Sequence, residues 1–162
     1  MPSRNLSVLK SAILALLCFI GLATSATAVE FRNEGLEVHR RDGKVLSFIV
    51  ELATDNAARE QGLMNREEMK PDRGMLFDFG QSRPVYMWMK NTYLPLDMLF
   101  ISDKGKITHI RENTLPLSED IIDSHGAVRF VLEINGGITD TLGIKVGDSV
   151  TSMQIERVAT GQ

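Results

Sequence analysis

The residues best suited to chemistry lie between positions 88 and 97. Trp88-Met89-Lys90-Asn91-Thr92 is followed by Pro95-Leu96-Asp97, which brings an aromatic ring, an ammonium, an amide, a hydroxyl and a carboxylate close together in the chain. A lysine can hold an anionic group and a carboxylate can take or place a proton. Lys90, Asn91, Thr92 and Asp97 are therefore candidate members of one polar pocket. A purely structural role competes with this. Asp97 falls on the face of Leu99 and Ile101, where a buried carboxylate can accept hydrogen bonds from the backbone of residues 91–93 and pin the loop. Lys90 could pair with Glu133, which lies on the Val131 side of its strand, with its stem along Trp88.

Other residues extend the set. Arg59 and Arg66 are seven apart, so a continuing helix would place both on one face above Gly62 as an anion clamp; a helix ending at Gly62 would separate them. Met87-Trp88-Met89 puts two thioethers on one face of a strand, a pattern that could hold Cu(I), although flexible core filling is the preferred reading. His39, His109 and His125 have no recognised ligand spacing, so no metal is expected. Ser124 and His125 are sequence neighbours whose side chains diverge in extended chain, and they make no hydrolase pair by themselves.

These residues need a scaffold. Val85, Met87 and Met89 alternate with Tyr86, Trp88 and Lys90, the period-2 pattern of a strand. Asn91-Thr92 turns the chain, and Pro95 opens a second strand, Leu96 to Ile101. Upstream, Leu36 to His39 and Val45 to Ala53 flank an Asp42-Gly43 turn and predict a hairpin. The nearly continuous apolar run at 48–52 predicts a central strand buried on both faces. Thr54 caps a predicted helix that has Asp55 in its first turn and Gly62 at its end. Met75 to Phe79 forms a strand and residues 80–84 a loop. Beyond the Ser102-Gly105 turn, residues 106–112 predict a strand and 113–127 a long loop. Strands at 128–134 and 150–158 follow, with a helical turn at 138–142 between them. The count is about eight strands with one or two short helices. A mainly β fold, a compact sandwich or partly closed barrel, is expected, and alternating βαβ units are absent from this pattern.

Several runs together carry a resemblance: Arg59-x-x-Gly62-Leu63-Met64-x-Arg66, Gly74-Met75-Leu76-Phe77, the 88–97 motif, Leu132-Glu133 with Gly137, and Gly143-Ile144-x-x-Gly147-Asp148. In that order they resemble the family called domain of unknown function 192, or uncharacterised protein family 0127, over roughly residues 45–157. Met87 stands where that family usually has an aromatic residue. The resemblance implies a small, mainly β domain, often exported in bacteria, and supplies no activity.

Composition narrows the function classes. Arg4 and Lys10, an apolar run from Ser11 to Ala23, and Ala26-Thr27-Ala28 predict a signal peptide at 1–28 cleaved after Ala28, and hence a periplasmic or secreted protein. The apolar run is too short for a membrane span, so no stable span is expected after cleavage. Residues 29–162 then form one mainly β domain. Cys18 is the single cysteine, so that domain has neither disulfides nor thiol chemistry. The chain carries a net charge of −3, and residues 1–28 hold two cations and no acid, leaving about −5, the wrong sign for nonspecific nucleic-acid binding. No cofactor is implied and a monomer is expected. The leading expectation is a non-enzymatic exported module. It would bind a small molecule, a peptide or an envelope protein through the elbow at 88–97 and the loop at 113–127. The alternative is a hydrolytic or proton-transfer enzyme, with Asp97 or Glu133 as base and Lys90 or Arg59 holding an anionic group.

Overall fold

The computed structural model describes residues 29–161, so the predicted signal segment lies outside the described residues. The elements are β1 (Arg32–His39), β2 (Val45–Ala53), α1 (Asn56–Gln61), β3 (Arg73–Met87), β4 (Leu96–Ile101), β5 (Ile107–Arg111), β6 (Ile122–Asn135), α2 (Ile138–Leu142), β7 (Ser149–Ser152) and α3 (Met153–Thr160). Seven strands form one mixed sheet in the order β5-β4-β6-β3-β2-β1-β7. The sheet curls into a half-barrel. Its ends meet at a bridge between Lys106 and Ser149, where Val150 N–H donates to the Gly105 carbonyl at 2.7 Å.

Local chemistry explains the boundaries. Asp42-Gly43 makes the β1–β2 turn with Gly43 at φ +89°, a left-handed conformation that glycine tolerates. The Asp55 carboxylate accepts from Ala58 N–H at 2.9 Å and caps α1, a role the sequence assigned to Thr54. Gly62 ends that helix at φ +46°. Pro95 immediately precedes β4, where it deprives no ladder of a donor.

The sheet is apolar on both faces. One face gathers Leu36, Val50, Leu76, Leu99, Leu132 and their neighbours beneath α2 and α3. The other gathers Met75, Phe77, Met89, Met98, Phe100 and Val131 beneath α1. Burying apolar surface in two layers supplies the main driving force for a domain with no disulfide.

Several expectations are corrected. β2 and β3 pair in parallel across α1, so one βαβ crossover exists where none was expected. β2 lies between two neighbours but alternates in burial, with Ile49 exposed; only its end is covered on both faces. Residues 75–79 and 85–87 form one strand bent by register shifts near Gly80 and Pro84, since both keep pairing with β6. β6 begins at Ile122, which shortens the predicted 113–127 loop. The predicted last strand stops at Ser152, whose hydroxyl accepts from Ile155 N–H and caps α3. Among the described residues the result is seven strands and three short helices.

Candidate functional site

Glu133 is the floor of the site. In β6 it stands opposite Met75 of β3 and Met98 of β4, so two thioether side chains flank its carboxyl on the same sheet face. It is 4% exposed, and among the described residues no group donates a hydrogen bond to it or forms an ion pair with it. Burial pushes its carboxyl up to about 8. At neutral pH it is mostly protonated, able to donate one hydrogen bond and accept others.

Above Glu133 lies a cavity of about 260 Å³ between α1, the bent β3 and the turn that follows it. Its walls are the rings of Phe77, Phe79, Tyr86 and Trp88, with Asn56, Arg59, Glu60, Gln61 and Thr92 as polar members. Phe77 and Phe79 project from one face of β3, with ring centroids 6.5 Å apart and nearly parallel planes. Trp88 and Tyr86 are 47% and 61% exposed and form the mouth. An apolar bowl with one unpaired polar group at its base is the usual form of a small-molecule site.

The predicted polar residues separate in space. β3 ends at Met87, and Thr92 N–H closes a turn on the Met89 carbonyl at 3.0 Å. The turn carries Lys90 back over Trp88, its Nζ 5.2 Å from the ring centroid, so the stem lies where expected but no pair with Glu133 forms. Asn91 holds the turn at φ +54°, and its carbonyl accepts from Asn65 N–H at 2.8 Å. Thr92 is buried and its hydroxyl donates to the Lys90 carbonyl at 3.2 Å.

Asp97 is sealed away from solvent. Its carboxylate accepts from the N–H groups of Asn113, Gly137 and Thr139 and from the Thr139 hydroxyl, at 2.7–3.0 Å. The structural role is thus the observed one. The donors, however, come from the segments after β5 and β6 rather than from residues 91–93.

The arginine clamp does not form. Gly62 ends α1 between the two residues, and Arg66 makes a bidentate pair with Glu51 at 2.6 and 2.7 Å, which raises its pKa further. Arg59 stays at the cavity, donating to the Thr54 and Asp78 carbonyls at 2.8 and 2.7 Å. The methionine pair also diverges, because the strand stops at Met87. Met87 lines this cavity, whereas Met89 is buried with its sulfur 3.1 Å from the Thr114 hydroxyl.

His125 belongs to a second, more polar cavity of about 610 Å³ under the 112–121 segment. Its ring meets His109 edge-on at 4.5 Å between centroids. Burial lowers the His109 pKa, and the neighbouring His125 and Arg111 lower it further. Ser124 is committed to the backbone: its hydroxyl accepts from Val85 N–H at 3.0 Å and donates to the Gly126 carbonyl at 2.6 Å. The cavity walls Phe77, Phe79 and Tyr86 were not singled out from the sequence, and His109 was weighed there only as a metal ligand. The first two carried a signal, since both alternate within 75–79 on the face that Val131 and Glu133 share.

A family model for domain of unknown function 192, described as an uncharacterised ACR, matches residues 37–152. The chain belongs to this family. A crystal structure of a Sinorhizobium meliloti protein described as a candidate transcription regulator is similar at 52% identity and TM-score 0.76. The match covers 77% of this chain and 97% of that one. A protein of unknown function from Novosphingobium aromaticivorans is similar at 33% identity and TM-score 0.71, with 78% and 89% covered. No curated protein matches the chain. The DUF192 match includes every cavity residue named above, from Arg59 to Glu133.

Proposed function

We propose that this DUF192 protein is an exported small-molecule-binding module whose ligand enters the aromatic cavity above Glu133. The observation that carries the reading is the unpaired carboxyl at the base of an apolar bowl. Burying a carboxyl without a partner costs stability, so its natural compensation is a group supplied by a ligand. The cavity is small, which limits the ligand to a compact molecule. Export rests on the residue pattern at 1–28; among the described residues no helix is long and apolar enough to cross a membrane. Net charge supports the choice of ligand class over nucleic acid: the Sinorhizobium neighbour is described as a candidate regulator, but residues 29–162 here carry about −5.

Trp88 is the only tryptophan and sits at the cavity mouth, so its emission reports occupancy. Titrating purified protein with small aromatic and aliphatic compounds should give saturable shifts in Trp88 emission, with matching NMR shifts at Phe77 and Glu133. A panel that moves none of these signals would remove the reading.

Proton transfer is the second reading, favoured by the raised Glu133 pKa, which suits a general acid or base near neutral pH. It separates from binding through Glu133→Gln. An enzyme loses turnover while retaining affinity; a binding module has no turnover to lose.

A further inference from the structure

Arg59 brings a positive charge to the cavity and forms no ion pair among the described residues, with Glu60 as the exposed acid of the same wall. A guanidinium has five N–H groups. Arg59 uses those of Nη1 on the Thr54 and Asp78 carbonyls and one of Nη2 on Asn56, which leaves Nε–H and one Nη2–H free. Two further cations lie against rings of the cavity wall without lining the cavity themselves, Arg83 at 5.2 Å from the Phe79 ring centroid and Lys90 at 5.2 Å from that of Trp88. Neither has an acidic partner among the described residues.

We propose that the cavity is selective for small organic monoanions. Their carboxylate-type head would be held by the free N–H groups of Arg59, with a ring-sized apolar body against Phe77, Phe79 and Trp88. This rests on the proposed function and names its ligand class. An unpaired carboxyl among aromatic rings would also suit an organic ammonium. Here, however, Arg59 shares the cavity, and the faces of Phe79 and Trp88 already carry the chain's own cations. An ammonium would find two of the four wall rings already engaged and would face a repelling guanidinium. Protonated Glu133 adds no charge against an anion and can donate to an acceptor on its body. The charged and titratable groups lining the cavity are Arg59 and Glu60 of α1, Tyr86 of β3 and Glu133 itself; Arg83 and Lys90 lie against rings of its wall, and Glu51, on β2, is tied to Arg66.

The test uses isosteric probes: 3-phenylpropionate, 3-phenylpropanol and 3-phenylpropylammonium, titrated by calorimetry and by Trp88 emission. The anion should bind at least about tenfold more tightly than the alcohol, and the ammonium most weakly. Arg59→Gln should erase that preference while the alcohol still binds. Because Arg59 also holds backbone carbonyls, the pair Arg83→Gln and Lys90→Gln, the first exposed and the second half-buried, provides a second variant, expected to weaken the anion severalfold. Affinity for the anion should fall as pH rises through about 8, and Glu133→Gln should remove that dependence. Equal binding of alcohol and anion, or strongest binding of the ammonium, overturns the inference and leaves the cavity reading intact. Failure of all the probes to bind would overturn both.

Discussion

Glu133 makes stability depend on pH with a sign that follows from its burial. Its carboxyl moves from an ordinary value of 4.5 to about 8 in the folded chain, so between those values the folded state holds a proton that the unfolded state has lost. Stability therefore falls as pH rises from about 4.5 to about 8 and levels off above. The cost reaches on the order of 3 kcal/mol at pH 7. Glu133→Gln should flatten this slope in denaturant titrations run across that range, and an unchanged slope would show that another group is responsible. Asp97 predicts the opposite kind of loss. Asp97→Ala strands the buried N–H and hydroxyl of Thr139 and the part-buried N–H groups of Asn113 and Gly137, and should cost about 3 kcal/mol. The melting temperature should drop by roughly 10 °C or more. A variant melting with the parent would mean that those donors find other partners.

At the scale of elements, the β3–β6 ladder fixes the cavity floor, and Gly74 is where it is tightest. A methyl group at Gly74 would collide with the Glu133 carbonyl, so the Gly74-Met75-Leu76-Phe77 run needs glycine for close strand approach rather than for a turn. Gly74→Ala should destabilise by about 1–3 kcal/mol and should also shift the Glu133 amide in NMR spectra. Stability loss with an unmoved Glu133 signal would place the strain elsewhere. On the 112–121 side, His125→Ala should raise the His109 pKa only in part, because burial is the larger cause and remains. A proton NMR titration of His109 reads this directly; full return to its ordinary value would make the His125 ring the dominant cause.

For the molecule as a whole, closure of the half-barrel depends on the seam between the β4–β5 turn and β7. Gly105 sits there at φ +73°, and an added methyl would meet the Val150 carbonyl. Gly105→Ala should therefore break the Val150 bond and cost more than about 2 kcal/mol, measured by chemical denaturation. Amide exchange at Val150 should rise with it, and protection equal to the parent would show that the seam tolerates the methyl.

What the sequence determined alone is what short-range physics controls. The apolar run after Asp42-Gly43 placed β2, Pro95 marked the start of β4, Ser102-Gly105 marked a turn, and the glycines at 62 and 143 ended helices, because each depends on a few adjacent residues. Parity also put Asp97 on the Leu99 side of its strand and Glu133 on the Val131 side of its own; that these are opposite faces of the sheet follows only from the β4–β6 register. The tertiary structure decided which residues meet. Lys90 and Glu133 look complementary in sequence, yet ending β3 at Met87 swings Lys90 onto Trp88 and leaves Glu133 alone. Arg59 and Arg66 share a motif but part at Gly62, since one left-handed residue redirects the chain. The parallel β2–β3 pairing and the bend that joins 75–79 to 85–87 depend on contacts across more than twenty residues or on partners in β6, which local periodicity does not register. The cavity is built from three such distant segments, and it exists only once the sheet brings them together.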